Sequence, residues 1–266
     1  MSQSTLAVIG GGNMGAALVG GLLESGAVAA NDVVVVEVVA ARREALSSMF
    51  PGVRVIDALT SNDRCDAAII AVKPPDAAAA AAVAVKAGAR RVLSIAAGVT
   101  LTTLERACGR GVAVVRAMPN TPALVGAGAS AITGGNDATD VDIAWAESIL
   151  GSVGIVVRVD ESQLDAITGL TGSGPAYLFL VAESLIDAGV NAGLSRDMVE
   201  DLVRQLFVGS SQLLAQGRPP SELRAQVTSP NGTTAAGIAV LEARALRAAF
   251  DEAVSAATRR SRELGS

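Results

Sequence analysis

The sequence contains no histidine, only two cysteines and very few aromatic residues. None of its 266 residues is histidine, and Phe, Trp and Tyr together make up 2% of the chain. The missing histidine excludes Ser–His and Cys–His nucleophile pairs, and it removes the usual partner of cysteine in zinc sites. Cys65 and Cys108 are far apart and form no CxxC pair. We therefore expect no metal site, and two lone thiols are typical of a reducing compartment.

Basic charge and unbroken apolar runs are also scarce. The net charge is −5 at pH 7, so the chain lacks the basic stripe that a nucleic-acid partner requires. Residues 6–23 are uncharged, but several glycines interrupt them and no lysine or arginine precedes them, unlike a signal peptide or a membrane helix. These features predict a cytoplasmic protein that binds neither nucleic acid nor membrane.

Short β-rich runs alternate with helical runs in the first part of the chain. Near-continuous valine and isoleucine are typical of strands buried on both faces of a parallel sheet. The predicted strands are 6–9, 33–37, 53–56, 67–72, 92–95, 112–117, 129–133 and 155–159, and the predicted helices between them are 13–25, 40–49 and 76–86. This alternation predicts an α/β domain, a Rossmann-like doubly wound sheet, over residues 1–160.

The pattern changes after Asp160, where β-like runs disappear. Apolar residues at three- and four-residue spacing predict helices over 162–170, 175–188, 196–216 and 234–264. We therefore expect an all-α second domain over residues 161–266. Its alanine, leucine and valine content favours interlocking of two copies, at least a homodimer.

A glycine-rich loop follows the first predicted strand and opens the first predicted helix. Its spacing is that of the dinucleotide-binding fingerprint, and Glu37 ends the next strand, where such folds place an acid beside the adenosine ribose. The predicted cofactor-binding residues of this segment are Gly10, Gly11, Gly12, Asn13, Met14, Gly15 and Glu37. A carboxylate at this point favours NAD, because a 2′-phosphate beside it would be repelled. Arg42 and Arg43 could instead accommodate the phosphate of NADP, or they form a solvated helix face.

Three further loops follow predicted strands at the same edge of the sheet. They add these candidate cofactor-binding residues: Ala71, Val72, Lys73, Pro74, Ala96, Ala97, Gly98 and Asn120. Lys73 would meet phosphate or ribose, or else point to solvent. The small residues at 96–98 would let a nicotinamide ring lie flat, and Asn120 is either a ribose or amide contact or a turn residue.

A Ser-Pro turn, an Asn-Gly pair and two threonines precede the last predicted helix. The first turn of a helix has unpaired N–H groups, and its dipole end is positive, so such a turn can bind a small carboxylate. Together with a dinucleotide site, this feature suggests a reductase of a small organic acid.

Five segments together resemble pyrroline-5-carboxylate reductase over essentially the whole chain. They are residues 10–15, 71–74, 116–119, 171–177 and 223–242. The resemblance implies reduction of 1-pyrroline-5-carboxylate to L-proline with NADPH or NADH, a cyclic imino acid as the substrate, and a helical domain that dimerises, in some members to a decamer of five dimers. Several members that use NADPH carry a small hydroxyl residue where this chain has Glu37.

The same resemblance implies the substrate-binding residues. They are Ser229, Gly232, Thr233 and Thr234, with the Thr234 hydroxyl beside the imine nitrogen as the catalytic group. Alternatively, Thr234 is only a helix N-cap. Gln226 stands where some members have an asparagine that faces the cofactor.

Two other functions fit the dinucleotide loop. A β-hydroxyacid dehydrogenase would need a general base, usually a lysine in the second domain, and residues 162–263 contain none. A non-enzymatic NAD-binding regulator would bind the nucleotide without turnover.

Overall fold

The computed structural model describes residues 6–60 and 63–265. These residues form two compact units. The first comprises residues 6–60, 63–173 and 255–265, and the second comprises Gly174–Val254. The predicted division after residue 160 remains a prediction.

The first unit contains an eight-stranded sheet of order β3-β2-β1-β4-β5-β6-β7-β8. The strands are β1 Leu6–Ile9, β2 Val33–Val36, β3 Arg54–Ile56, β4 Ala67–Ile70, β5 Arg91–Ser94, β6 Ala113–Met118, β7 Gly128–Gly134 and β8 Gly154–Arg158. All neighbours pair in parallel except β6 and β7, which are antiparallel. The predicted Rossmann-like sheet is confirmed, with one antiparallel pairing that the apolar runs did not reveal.

Helices cover both faces of this sheet. They are α1 Asn13–Glu24, α2 Ala40–Met49, α3 Ala77–Lys86, α4 Leu101–Cys108, α5 Asp140–Gly151 and α6 Leu164–Ile167, which continues as a π-helical turn over Thr168–Gly172. Alternate residues of β1 point to opposite faces. Leu6 and Val8 belong to one core with residues of α1, α2 and α5, whereas Ala7 and Ile9 belong to a second core with residues of α3 and α4. On α5, the Trp145 ring lies 5.4 Å from the Arg91 guanidinium carbon.

Two helices of the first unit, α4 and α5, were not among the predicted elements. Both begin after a threonine. The Thr100 hydroxyl accepts a hydrogen bond from the Thr103 N–H, which pairs an otherwise free donor of the first turn of α4. At the start of α5, the Thr139 N–H and hydroxyl both donate to Asp142 Oδ2, at 3.0 and 2.6 Å.

The described part of the second unit contains only helices, as predicted. They are α7 Gly174–Asn191, α8 Arg196–Leu214, α9 Pro220–Gln226, α10 Thr233–Ala243 and the first part of α11 Leu246–Gly265. The prediction of one continuous helix over 234–264 was wrong. The helix breaks at Arg244 and Ala245, where Ala245 adopts a left-handed conformation with φ of 55°. The α9 helix was also missed, because its prolines were interpreted as a break.

Large apolar side chains of the second unit are exposed in the single chain. The most exposed on α7 and α8 are Leu178, Phe179, Leu180, Leu202 and Leu206, each at least 54% exposed. Met198, Leu202 and Leu206 are spaced four residues apart and therefore form one stripe along α8.

Across residues 6–60 and 63–265, none of the helices combines the length and the apolar character that crossing a bilayer requires.

Candidate active site

The carboxyl ends of the central strands bring the predicted cofactor loops to one edge of the sheet. The glycine-rich loop follows β1, and the 71–74 loop follows β4, its neighbour on the other side from β2. From β1 the chain continues to β2 on one side, and from β4 it continues to β5 on the other side. The connections after these two adjacent strands therefore run in opposite directions. Such a switch point is where doubly wound sheets bind nucleotides.

The glycine-rich loop is shaped by close backbone contacts. Gly10 has φ of 109°, and a Cβ atom built on it would lie 2.5 Å from the Ala71 carbonyl oxygen. A Cβ on Gly15 would overlap the carbonyl oxygen of Gly10. Only glycine fits either position, so the loop keeps the backbone of β1, β4 and α1 in contact.

The start of α1 is open toward solvent. Gly12 is the N-cap residue and has no side-chain cap, and no atom of the described residues lies within 4 Å of a Cβ built on it. Within the described residues, the backbone N–H groups of Asn13 and Met14 have no hydrogen-bond acceptor. Free N–H groups at the positive end of a helix form an anion site. This cradle fits the pyrophosphate of a dinucleotide.

Glu37 lies directly beside this loop. Its Oε2 accepts a hydrogen bond from the Gly11 N–H at 3.0 Å, and its Oε1 accepts one from the Val39 N–H at 2.8 Å. The carboxylate is thereby fixed at the end of β2, where an acid contacts the adenosine ribose in such folds.

Arg42 and Arg43 lie in the same region, and the structure places neither on a purely solvated face. Arg42 Nε donates to the Gly11 carbonyl oxygen at 2.7 Å. Arg43 Nη1 donates to the carbonyl oxygens of Glu37 and Val38, at 2.9 and 2.8 Å. Both side chains are half-buried, and both hold backbone segments next to Glu37.

The remaining predicted cofactor residues differ in their surroundings. Ala71 donates its N–H to the Ile9 carbonyl oxygen at 2.7 Å, which holds the 71–74 loop against the end of β1. Lys73 is exposed, whereas Ala96 and Gly98 are buried, and Gly98 has φ of 78°. Contact of these residues with a nucleotide remains a prediction.

Asn120 is buried and already has two protein partners. Its amide oxygen accepts a hydrogen bond from the Ala129 N–H at 2.8 Å, and its amide nitrogen donates to the Thr171 carbonyl oxygen at 3.1 Å. These bonds fix the loop after β6 to β7 and to the π-helical turn. One amide hydrogen remains for the predicted nucleotide contact.

Sequence reasoning missed a half-buried ion pair between β6 and the segment after β8. Arg116, at 5% exposure, lies on β6, and its Nη1 is 2.7 Å from Glu161 Oε1. The same oxygen accepts a hydrogen bond from the Leu101 N–H at 2.7 Å. Glu161 therefore links β6 to the first residue of α4. The two partners are 45 residues apart in sequence, and no local pattern pairs them.

The predicted carboxylate-binding loop lies in the second unit. The Gly232 N–H donates to the Ser229 carbonyl oxygen at 3.1 Å, and Asn231 has φ of 61°. Proline at the second position and a left-handed asparagine at the third are features of a type II turn. The turn delivers the chain to Gly232, the N-cap of α10.

The first turn of α10 is open in the same way as that of α1. Gly232 provides no side-chain cap, and the N–H groups of Thr233 and Thr234 have no acceptor in the described part of the chain. Both threonines are exposed. Because Gly232 is the N-cap, the alternative role of Thr234 as an N-cap was wrong. Gln226, the other residue considered near this loop, accepts a hydrogen bond from Arg218 Nη1 at 3.1 Å.

The strand order, the glycine-rich loop and the acid at the end of β2 define a dinucleotide-binding protein with a Rossmann-like fold. Comparisons with known proteins specify the family. The model described as pyrroline-5-carboxylate reductase dimerisation matches residues 161–264, and that described as NADP oxidoreductase, coenzyme F420-dependent, matches residues 5–98. The pyrroline-5-carboxylate reductase of Mycobacterium tuberculosis is 40% identical over 98% of this chain and 97% of its own length. The chain therefore belongs to the pyrroline-5-carboxylate reductase family.

Solved structures agree with this assignment. The pyrroline-5-carboxylate reductase of Coxiella burnetii is 34% identical with a TM-score of 0.88, and the comparison covers 99% of both chains. The pyrroline carboxylate reductase of Plasmodium falciparum, solved with NADP bound, is 30% identical with a TM-score of 0.85 over 100% of both chains. The resemblance inferred from the five sequence segments is thus confirmed.

Proposed function

We propose that this protein reduces 1-pyrroline-5-carboxylate to L-proline with NADPH or NADH, the last step of proline biosynthesis. One observation carries the proposal: the identity to curated pyrroline-5-carboxylate reductases extends over both units of the chain. It therefore includes the nucleotide loops as well as the segment before α10.

The first unit would hold the dinucleotide, which supplies the hydride when bound. The free N–H groups of Asn13 and Met14 would bind the pyrophosphate, and Glu37 would accept hydrogen bonds from the adenosine ribose. The loops at 71–74 and 96–98 and Asn120 would line the path toward the nicotinamide. The glycines at 10 and 15 support this cradle, because any side chain there would displace its backbone.

The 229–234 segment would hold the substrate. The carboxylate is an anion of the size that the open first turn of α10 can bind through the N–H groups of Thr233 and Thr234. Ser229 and Gly232 shape that turn, because the Gly232 N–H is paired with the Ser229 carbonyl oxygen. The Thr234 hydroxyl would then contact the ring nitrogen.

The proposed reaction agrees with the lack of histidine. A cyclic imine accepts hydride readily once its nitrogen is protonated, and water can supply that proton near neutral pH. The protein would then act chiefly by positioning, which is a large effect when two reactants are held in contact. Thr234 would orient the protonated nitrogen without a transfer of its own proton.

The dimerisation model that matches residues 161–264 supports a homo-oligomer. We further propose that the basic assembly is a homodimer, that five such dimers form a decamer, and that the protein acts in the cytoplasm. The exposed apolar stripe on α8 supports the first point, since a partner would cover it.

The test is one assay with purified protein, pyrroline-5-carboxylate and either NADH or NADPH. We expect loss of nicotinamide absorbance together with formation of proline, measured by chromatography. Nucleotide binding without turnover would contradict the proposal and favour the regulator. Turnover with a 3-hydroxy acid, but not with the imine, would favour the dehydrogenase, although residues 162–263 contain no lysine that could serve as its base.

A further inference from the structure

The two charged groups at the adenosine end of the nucleotide cradle are bound to one residue. Gly11 donates its N–H to Glu37 Oε2 at 3.0 Å, and its carbonyl oxygen accepts from Arg42 Nε at 2.7 Å. A carboxylate and a guanidinium are therefore both held against the backbone of one buried residue. A phosphate group that reaches Arg42 must also approach Glu37.

Glu37 cannot easily move away from such a phosphate. Gly11 is buried, and a buried N–H that loses its acceptor is costly. The Val39 N–H holds the second carboxylate oxygen at 2.8 Å. The carboxylate is thus fixed in place, and among the described residues it has no ion-pair partner at 4.0 Å or less.

The fixed carboxylate still has acceptor capacity for a neutral ribose. A carboxylate has about four lone-pair sites, and Gly11 and Val39 use one on each oxygen. The remaining sites suit the two donor hydroxyls of the adenosine ribose of NADH. The 2′-phosphate of NADPH offers only negative oxygens at the same place, so it meets repulsion where the hydroxyl would donate a hydrogen bond.

The two arginines offset this repulsion only in part. Arg43 Nη1 is shared between the carbonyl oxygens of Glu37 and Val38, and Arg42 is held by Gly11. Within residues 6–60 and 63–265, both guanidinium groups have N–H donors without an acceptor, but they stay beside the carboxylate that they help to position. Arg42 and Arg43 therefore attract a 2′-phosphate at full strength only when the charge of Glu37 is removed.

We infer that this protein prefers NADH to NADPH, and that the anchored carboxylate of Glu37 sets the preference by masking Arg42 and Arg43. The inference rests on the proposed function, because it assigns the nucleotide of that same site. The inference concerns how the adenosine end of the nucleotide binds, so it can be tested in the absence of the imine substrate.

The test compares nucleotide dissociation constants by isothermal titration in the absence of imine. The probes are NADH and NADPH, and the fragments 5′-AMP and 2′,5′-ADP, which isolate the adenosine end. For the unmodified protein we expect NADH to bind at least ~10-fold more tightly than NADPH, about the ratio that one close like-charge contact produces. Glu37→Gln should bring the ratio to about one or reverse it, through tighter NADPH binding.

Two further variants control this result. Glu44→Gln removes an exposed carboxylate from α2, the helix that carries Arg42 and Arg43, and should leave the ratio unchanged. Adding Arg42→Ala to Glu37→Gln should abolish the gain in NADPH affinity. Thermal unfolding midpoints show whether each variant remains folded.

The inference is overturned, whatever the variants show, if the unmodified protein binds NADPH as tightly as NADH or more tightly. A folded Glu37→Gln protein with the parent ratio overturns the role of Glu37. The proposed function fails separately, when neither nucleotide supports proline formation. Proline formation with a preference for NADPH would refute only the inference.

Discussion

Thr234 is the second residue of α10, and its exposed hydroxyl is not needed to cap the helix. We expect Thr234→Ala to lower kcat/KM for the imine by tenfold or more, about 1.4 kcal/mol of lost transition-state binding. Because Gly232 is the N-cap, the midpoint of thermal unfolding should change little. Steady-state kinetics at varied imine concentration provide the measurement. Thr234→Ser, which keeps the hydroxyl, should retain most activity, and an unchanged kcat/KM in Thr234→Ala would remove this residue from the mechanism.

The two cysteines should be chemically inert in the folded protein. Burial, with a smaller effect of Asp66, raises the pKa of the Cys65 thiol to about 11, and burial, with Glu105, raises the pKa of Cys108 to about 11. At pH 8 the reactive thiolate is then only about 0.1% of each thiol. Ellman's reagent should therefore react with neither cysteine in buffer and with both in guanidinium chloride. Rapid reaction of the folded protein would contradict the buried placement.

The same thiols give a pH dependence of stability. In the unfolded chain they lose their protons near pH 9.0, but in the folded protein only near pH 11. Between these values the folded state binds more protons than the unfolded state, so the free energy of unfolding falls as the pH rises. Urea titrations at pH 8.5 to 11 should show this decrease. A double Cys65→Ala, Cys108→Ala variant should show a smaller slope over the same range.

Helix α1 offers a matched pair of glycine substitutions. A Cβ on Gly15 would overlap the Gly10 carbonyl oxygen, whereas a Cβ on Gly20 would lie 3.6 Å from Phe50 Cε1, an ordinary contact. Gly15→Ala should therefore displace the glycine-rich loop and weaken nucleotide binding at least ~10-fold. Gly20→Ala should keep binding and raise the free energy of unfolding by up to ~1 kcal/mol, because alanine favours a helix interior. Equal binding by the two variants would refute the role of the cradle.

Strands and helices were predictable from sequence to different degrees. The strand runs of valine, isoleucine and alanine placed β1 to β8 within a few residues, and the central strands β1, β2, β4 and β5 gave the clearest runs because they are buried on both faces of the sheet. The short helix α9 was missed because Pro220 was interpreted as a break, although proline is well accepted at the first position of a helix. The break at Ala245 contains neither glycine nor proline, the residues that indicate the end of a helix in a sequence.

The candidate site was predictable where its chemistry is local. The glycine-rich loop and the turn before α10 depend on neighbouring residues, and the structure forms both. The anchoring of Glu37 by Gly11 joins residues 26 positions apart, and the Arg116–Glu161 pair joins residues 45 positions apart. Such pairs arise only when the sheet brings strand ends together, so local patterns cannot reveal them.

The exposed stripe of α8 gives a prediction for the assembly. Leu202 is 57% exposed in the single chain, and a dimer partner would cover it. We expect Leu202→Asp to convert the homo-oligomer to monomers in light scattering, because a buried unpaired carboxylate is costly. Arg204→Asp introduces an aspartate roughly 200° further around the helix, away from the stripe, and should leave the homo-oligomer intact. A Leu202→Asp protein of unchanged mass would contradict the use of this stripe.

Trp145 is the chain's one tryptophan, and it lies on α5 of the first unit beneath the Arg91 guanidinium. Its emission during denaturation therefore monitors the nucleotide-binding unit alone. Far-ultraviolet circular dichroism, by contrast, sums the helices of both units. Superimposable fluorescence and dichroism curves would mean that the two units unfold together in one cooperative transition. Separated curves would reveal an intermediate in which one unit is still folded.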